Sequence, residues 1–258
     1  MTILDSRIDS GHVTTPRVFA AWPPRPAAPE AERSAAVVEV FPAAPFATQA
    51  PRQEPDTEPE RTVSGFPVVL AITGASGAPY AVRLLGVLSA NRIPVWLIVS
   101  SHGWRLLQQE CGIGEEAGLR AATGGDWSSV TVFPDEDRGS KPASGSQRTA
   151  GMVVCPCSMG TVSAIAQGSS RSLVERAADV TLKERRKLIL VPRETPLSLI
   201  HLRNLVQVTE AGAIVIPAAP GFYHRPREIA ELVDFIVQRV LDQLGVELEI
   251  APRWSASG

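Results

Sequence analysis

The sequence of 258 residues is poor in several features that define common classes of protein. Its three cysteines, a small and odd number, do not make a disulfide framework, so a cytoplasmic, reducing location is expected. Its four histidines lie far apart and show no metal-ligand spacing. With 25 Lys and Arg against 27 Asp and Glu, it lacks the basic excess of a general nucleic-acid or membrane-surface binder. No apolar run approaches the ~20 residues that cross a bilayer.

The first 65 residues differ in composition from the rest of the chain. Half of the 22 prolines precede Val68, and the apolar residues between them are mostly alanine. Proline removes backbone donors and alanine buries little area, so burial here would not offset the entropy of ordering the segment. We predict a disordered extension over residues 1–65 and one folded domain over residues 66–258.

Apolar runs alternate with helical patterns from Phe66 onward. The predicted strands are Val68–Thr73, Val95–Ser100, Val130–Phe133, Met152–Cys155, Leu188–Pro192 and Ala213–Pro217. Continuous apolar strands are typical of a sheet covered on both faces, and strand–helix alternation predicts a parallel, doubly wound α/β sheet. The clearest helix has an i, i+3/i+4 apolar stripe from Ile229 to Leu244. Residues 112–125 and 135–149, rich in Gly, Ser and charge, are predicted to be loops.

The first strand runs into a short Gly/Ser turn, TGASGAP. Gly74 and Gly77 permit a tight turn, and Pro79 suits the first turn of a helix that begins near Ala78. The N-terminus of that helix would attract an anion, typically a phosphate, and Ser76 adds a hydroxyl. The turn matches neither GxGxxG nor a Walker loop, so it specifies neither a dinucleotide nor a nucleoside triphosphate.

Small hydroxyl residues also follow two other strands. Ser100 follows the second strand, and Ser158 and Thr161 follow the fourth. Because ligands of such sheets bind at the carboxyl ends of the strands, we expect these residues to lie with Ser76 at a flavodoxin-like mononucleotide site. The Cys-Pro-Cys at residues 155–157 has no further metal ligands beside it in the sequence and is predicted to supply buried structural thiols.

The stretch LKERRKLILVPRE, residues 182–194, crowds five cations around a short strand. Arg185 and Arg186 would close a helix over residues 170–186 and lie with Lys187 at the amino end of the strand, which indicates a structural or interface role. Arg193 leaves the strand at the opposite edge. We therefore expect Lys183 and Arg193 to meet the same anion only where two copies of the chain come together.

Four long motifs resemble, in this order, those of the UbiX-type flavin prenyltransferases. They are AITGASGAPYAVRLL, CPCSMGTVSAIAQG, LVERAADVTLKERRKLILVPRETPLSLIHLRN and IPAAPGFYHRP. The resemblance runs from about Phe66 to Trp254. It implies a flavodoxin-like (Rossmann-like) subunit of a homo-dodecamer that transfers the dimethylallyl group of dimethylallyl phosphate to N5 and C6 of reduced FMN. The prenylated FMN would serve a UbiD-type decarboxylase.

The resemblance also implies roles for individual residues. The flavin site would comprise Gly74, Ala75, Ser76, Ser100, Ser158, Met159, Gly160, Thr161 and Arg176, with the Ser76 hydroxyl near flavin N5. The substrate phosphate would bind Ser144, Gly145, Lys183, Arg193, Tyr223 and Arg239. Glu110 would assist proton movement, and Glu194 would lie at the reaction centre. No metal is implied, and the sequence has no Asp-rich motif of the kind that magnesium-dependent prenyl enzymes use.

The sequence departs from the family pattern at one place and leaves two other functions open. Arg138 lies near the position where the family often has a tryptophan, so the substrate-side wall is less well specified than the flavin side. An FMN-dependent decarboxylase of the phosphopantothenoylcysteine type would need a catalytic histidine early in the chain, for which His102 is a poor substitute. A non-catalytic FMN carrier would bind the flavin without turnover. His201 is predicted to hydrogen-bond within its own helix.

Overall fold

One parallel six-stranded sheet organises the residues that the computed structural model describes, 65–124 and 126–253. The strands are β1 (Val68–Ile72), β2 (Val95–Val99), β3 (Val130–Pro134), β4 (Gly151–Cys157), β5 (Leu188–Pro192) and β6 (Ile214–Val215). Each overlaps a predicted strand, although β6 is shorter and β4 longer than predicted, and their order is β3-β2-β1-β4-β5-β6. The predicted doubly wound, Rossmann-like α/β fold is confirmed. The predicted extension, apart from Gly65, lies outside the described residues and stays a prediction.

Helices cover both faces of this sheet. They are α1 (Ala78–Ala90), α2 (Ser101–Cys111), α3 (Glu116–Thr123), α4 (Met159–Ala166), α5 (Leu173–Lys183), α6 (Leu199–Glu210) and α7 (Ile229–Leu244). The helix predicted from the apolar stripe corresponds to α7. In the described part of the chain, none of the helices combines the length and the apolarity that a membrane span requires.

Two predictions about the helices are wrong. Residues 112–125 were expected to form a loop, but α3 lies within them because Leu119 is fully buried and Glu116 pairs with Arg120 one turn later, at 3.5 Å. The helix expected over residues 170–186 is shorter at both ends. Ser172 accepts a hydrogen bond at its N-terminus, and Arg185, with φ of 57°, has left the helical conformation.

The alternation of side chains along β1 divides the apolar interior into two layers. Val68, Leu70 and Ile72 contribute to a core that also contains apolar residues of α1 and α7. Val69 and Ala71 contribute to the other core, which contains apolar residues of α4 and α5. Because both faces are covered, β1, β4 and β5 are buried along their whole lengths. The polar ends of these strands are therefore the places where the sheet can meet a ligand.

Helix α6 differs from the others in the surface that it presents. Its N-terminus is closed as predicted for His201, whose Nδ1 accepts from Ser198 N at 3.3 Å while its own N–H donates to Ser198 Oγ. Large apolar side chains along it are exposed, including Leu199 at 61%, Ile200 at 68% and Val206 at 55%. Such an exposed apolar face is typical of a surface that another protein chain covers.

Candidate active site

The strand order places a crevice between the carboxyl ends of β1 and β4. The chain winds from β1 towards β2 and β3 on one side and from β4 towards β5 and β6 on the other, so the direction reverses between these two neighbours. Ligands of open α/β sheets bind at this switch point. Gly74–Ser76 follow β1 after Thr73, Ser158–Thr161 directly follow β4, and Ser100 follows the adjacent β2. The residues predicted to hold the flavin share this edge, which we call the switch-point site.

Thr73 joins the two strand ends of the switch-point site. Its side-chain oxygen donates to the Pro156 carbonyl and accepts from the Ser158 N–H, both at 2.9 Å. The residue is only 3% exposed. These bonds fix the start of the loop after β4 relative to the end of β1. Sequence reasoning missed this role, although a hydroxyl at the end of an apolar strand is the signal that could have revealed it.

Two helices begin at this site with serine caps. Ser100 Oγ accepts from Gly103 N at 3.1 Å, and Ser158 Oγ accepts from Thr161 N at 3.1 Å. Ser158 Oγ also lies 2.9 Å from Thr161 Oγ1. The starts of α2 and α4 therefore direct partial positive charge towards the edge of the sheet where an anionic ligand would bind.

The turn after β1 is packed tightly against α2. A Cβ added at Gly74 would lie 2.5 Å from His102 Cβ, so the close approach of α2 requires glycine at this position. His102 therefore contributes packing beside the loop.

Glu110 binds the N-terminus of α1. Its Oε2 accepts hydrogen bonds from Gly77 N and Ala78 N, each at 2.8 Å. The sequence predicted that a ligand phosphate would bind at this helix start, but the chain's own carboxylate binds there in the structure. The predicted catalytic Glu110 is thus held beside the Gly74–Ser76 loop, while the partial positive charge of α1 is already matched.

Arg193 connects the end of β5 with the same loop. Its Nε donates to the Ser76 carbonyl at 3.3 Å, which brings a residue predicted for the substrate phosphate to a residue predicted for the flavin. Glu194 is exposed, and its Oε1 accepts from the Thr195 N–H at 3.2 Å. Arg176, also predicted for the flavin, pairs with Asp179 at 2.7 Å.

A second group of predicted phosphate ligands lies around the end of α5. Lys183 Nζ would be 2.9 Å from a Cβ added at Gly145, and that Cβ would collide with the Glu184 carboxylate. Ser144 Oγ lies 2.9 Å from Ser146 Oγ in the same loop. Lys183 pairs with Glu184 at 2.6 Å, and this hydrogen bond and charge lower the pKa of Glu184. We call Ser144, Gly145 and Lys183 the lysine corner.

The lysine corner and Arg193 lie at opposite edges of the sheet. Lys183 ends α5, before the amino end of β5, and Arg193 directly follows its carboxyl end. The five residues of β5 span about 16 Å at a rise of ~3.3 Å per residue. The predicted separation of the two cations within one chain is confirmed.

The remaining predicted phosphate ligands line a cavity near the C-terminus. Tyr223 and Arg239 border a space of about 360 Å³ together with Asp242 and Arg253. Asp242 binds both guanidinium groups, that of Arg239 at 3.0 Å and that of Arg253 at 2.9 Å. Tyr223 packs edge-on against Phe235, with their ring centroids 5.8 Å apart. We call Tyr223, Arg239 and Arg253 the C-terminal corner.

The cysteines of the Cys-Pro-Cys are buried as predicted. Cys155 is 1% exposed and Cys157 is fully buried. Burial raises the pKa of Cys155 to about 12 and raises the pKa of Cys157 further above its usual range, with a smaller contribution from Cys155. Neutral, buried thiols are poor nucleophiles and poor metal ligands. Within the described ranges, no cluster of three or more His, Cys, Asp or Glu residues could hold a metal ion.

Comparison with known proteins identifies the family. The sequence model of the Flavoprotein family matches residues 56–241. The flavin prenyltransferase UbiX of Pseudomonas aeruginosa is 44% identical over 194 residues, 72% of this chain and 93% of the relative. That of Synechocystis sp. is 45% identical over 197 residues, 73% of this chain and 95% of the relative. The chain belongs to the UbiX family of flavin prenyltransferases.

Solved UbiX-like structures agree with this assignment. AnUbiX, crystallised in complex with FMN and dimethylallyl pyrophosphate, superposes with a TM-score of 0.66 at 38% identity, over 74% of this chain and 99% of its own. A dodecameric FMN-dependent UbiX-like decarboxylase from Escherichia coli O157:H7 superposes with a TM-score of 0.65 at 39% identity, over 73% of this chain and 99% of its own. The part of the chain that the Flavoprotein family model matches, residues 56–241, contains all the predicted site residues.

One departure from the UbiX pattern now has a structural position. Arg138, near the position where the family often has a tryptophan, donates from Nη1 to the Ser170 carbonyl at 3.2 Å. Its guanidinium thus holds the segment before α5.

Besides Thr73, the site residues that sequence reasoning missed are Glu184, Asp242 and Arg253, each of which forms an ion pair in a predicted phosphate corner. Glu184 adjoins Lys183, and Asp242 follows Arg239 by three residues in the helix, so the i, i+3 spacing of opposite charges is the signal that could have revealed the second pair.

Proposed function

We propose that this protein transfers the dimethylallyl group of dimethylallyl phosphate to N5 and C6 of reduced FMN. Membership of the UbiX family sets the reaction class. The observation that carries the proposal for this chain is the contact of Arg193 with the Ser76 carbonyl, because it joins a cation predicted to bind the phosphate to the loop predicted to bind the flavin. The prenylated FMN would then serve a UbiD-type decarboxylase.

The switch-point site suits FMN by its shape and its donors. Gly74, Ala75 and Ser76 have small side chains, which leave room for a flat ring beside the backbone. The serine-capped starts of α2 and α4 provide hydroxyl groups and partial positive charge for a phosphate. We infer that Met159, Gly160, Thr161 and Arg176 complete this flavin site, as the family resemblance implies.

The cationic residues would stabilise the departing phosphate. Negative charge grows on the phosphate as its bond to the allylic carbon breaks, and fixed guanidinium and ammonium donors favour that change. Arg193 and Arg239 can each bind two phosphate oxygens, while Lys183 acts as a point charge and Tyr223 donates from its phenol. Reduced FMN supplies the nucleophilic nitrogen and the ring carbon of the second bond.

A proton must leave the ring carbon when the second bond forms. Glu110, which two backbone N–H groups hold beside the Gly74–Ser76 loop, is one candidate acceptor. Glu194 is another, because it follows Arg193 at the same edge of the sheet. The released phosphate is the third.

We further propose that the complete site lies between copies of the chain, in a homo-oligomer such as the dodecamer of the Escherichia coli relative. Within one chain, Lys183 precedes the amino end of β5 and Arg193 follows its carboxyl end, so a strand about 16 Å long lies between the two residues and favours a phosphate site shared by two copies. The exposed apolar residues of α6, which follows Arg193 in the chain, provide a surface that a second copy would cover.

The reaction is tested by incubating the protein anaerobically with reduced FMN and dimethylallyl phosphate, followed by mass spectrometry of the flavin. We expect a flavin heavier by one C5H8 unit, and a parallel incubation with the diphosphate tests the leaving group. Unchanged flavin in both incubations would indicate a carrier. Decarboxylation of a cysteine-derived carboxylate without flavin prenylation would indicate the phosphopantothenoylcysteine type, which the UbiX relatives do not favour.

The shared site is tested by mixing two inactive variants. The variants Lys183→Ala and Arg193→Ala are co-expressed and assemble at random. If the two residues of one site come from different copies, about a quarter of the sites contain both native residues. We expect prenylation to recover to about that fraction of the wild-type rate. If both residues serve one chain, every site lacks one of them and the mixture stays as inactive as its components.

A further inference from the structure

Arg186 belongs to the cationic stretch of residues 182–194 but has no role in the proposed reaction. It nevertheless makes two specific hydrogen bonds. Its Nη1 donates to the Gln147 carbonyl at 2.6 Å, and its Nη2 donates to the Gly145 carbonyl at 2.7 Å. The side chain is 19% exposed. One guanidinium thus binds two carbonyl groups of the loop that contains Ser144 and Gly145, which lies about 40 residues away in sequence.

Neighbouring Arg185 provides a contrast. It is exposed and has a left-handed backbone conformation, with φ of 57°. Adjacent arginines of identical chemistry therefore lie in different environments, one against the loop and the other towards solvent.

The geometry of the two bonds restricts the loop. The planar guanidinium presents its N–H groups in a fixed fork, so it can hold two acceptors only at one spacing. The C=O and N–H groups of a trans peptide point in opposite directions. Binding the Gly145 carbonyl therefore turns the Ser146 N–H to the side of the loop away from Arg186. The Ser146 residue itself is exposed.

The same contact aligns the loop with Lys183. Arg186 follows Lys183 by three residues, and Glu184 lies between their cationic groups, 2.6 Å from Lys183 Nζ and 4.0 Å from Arg186 Nη2. Gly145 packs against the ends of the Lys183 and Glu184 side chains, which a Cβ at this position would have to displace. The distance between the loop and the ammonium group thus depends on how Arg186 holds the loop.

We propose that Arg186 is a positioning residue, which holds residues 144–147 against the end of α5 so that the loop and Lys183 bind one phosphate together. The identity of that phosphate as dimethylallyl phosphate rests on the proposed function. The role of Arg186 in holding the loop does not depend on that function, because it follows from the two carbonyl contacts alone.

Hydrogen exchange of the loop tests the contact without any substrate. Arg186→Met keeps much of the apolar stem and removes the fork, and Arg185→Met is the matched control one residue earlier. We expect faster deuterium uptake by peptides covering residues 144–148 in Arg186→Met only. Equal uptake in both variants and the wild type would overturn the proposal, and so would an equal increase in both variants.

Kinetics and a conservative variant test the consequence for the substrate. In Arg186→Met we expect KM for dimethylallyl phosphate to rise about tenfold, while kcat and the FMN Kd change less than about twofold. Arg186→Lys keeps the charge but cannot bridge both carbonyl groups, so it should recover only part of this loss. Full recovery by lysine, or a kcat loss without a KM change, would show that the charge or the general fold matters instead.

The two proposals fail in different ways. If the wild-type protein prenylates no flavin, the proposed function fails, and the exchange measurement still decides whether Arg186 holds the loop. If Arg186→Met does not fold, the same exchange measurement on Arg186→Lys decides. An uptake identical to that of the wild type in the lysine variant would then overturn the positioning role.

Discussion

The flavin side and the phosphate side of the candidate active site are built in different ways. On the flavin side, short loops follow the neighbouring strands β1, β2 and β4, and Thr73 ties two of the strand ends together. On the phosphate side, the predicted ligands come from the lysine corner, the end of β5 and the C-terminal corner. In the proposed site, the topology of one chain therefore assembles the flavin side, whereas the phosphate side needs a second copy.

The two sides also differ in how far the chain's own groups neutralise their positive charge. Lys183 and Arg239, on the phosphate side, pair within the chain with Glu184 and Asp242. An incoming phosphate must therefore compete with the chain's own carboxylates for these cations. On the flavin side, Arg176 pairs likewise with Asp179, but the starts of α2 and α4 are capped by neutral serines, so their partial charges stay available to an anion. The difference predicts that the flavin binds to one folded chain and the phosphate substrate only to the assembly.

The largest expected effect separates the two sides directly. We expect Arg193→Ala to lower kcat/KM for dimethylallyl phosphate by about 10²- to 10³-fold, because it removes a fixed donor to the leaving phosphate. The FMN Kd, measured by flavin fluorescence, should change by less than about threefold, since the other flavin contacts remain. Arg105→Ala, at an exposed arginine of α2, is the control. An equal loss of affinity for FMN and for dimethylallyl phosphate would show that the two sides are one site.

A smaller effect is expected on the flavin side. Thr73→Val removes the bridge between β1 and β4 and leaves the Ser158 N–H without its acceptor, at a cost of about 1–3 kcal/mol. We expect the FMN Kd to rise about tenfold and the melting temperature to fall, with little change in KM for dimethylallyl phosphate. Thr73→Ser keeps the hydroxyl and should resemble the wild type. A rise in KM alone would contradict the division of the site.

The smallest effect concerns the thiols at the end of β4. At pH 8 we expect Ellman's reagent to react slowly with partly exposed Cys111 and not with Cys155 or Cys157 until the protein is unfolded. Because the pKa of the Cys155 thiol is raised to about 12 in the folded protein, the unfolded chain releases its proton first. Stability should therefore fall as pH rises above the ordinary cysteine pKa of about 8.5, measured as the melting temperature between pH 7 and 10. Rapid reaction of Cys155 or Cys157 in the folded protein would show that β4 opens at the site.

Sequence reasoning was most successful where the evidence is local. The apolar runs predicted all six strands, and the stripe from Ile229 to Leu244 predicted α7. It failed at α3, where one buried leucine and an ion pair outweigh glycines and charges that are typical of a loop. The placement of Ser100 and Ser158 at one edge also followed from the sequence, because parallel strands bring their carboxyl ends together.

The sequence by itself determined the period of each strand and helix, the small residues after the strands and the crowding of cations around β5, since these depend on near neighbours in the chain. Only the tertiary structure decided that Glu110 binds the start of α1, that Thr73 joins β1 to β4 and that Arg186 holds the loop of Gly145. These contacts join residues separated by more than 30 positions. Their distances are set by the packing of helices on the sheet, which no local pattern encodes.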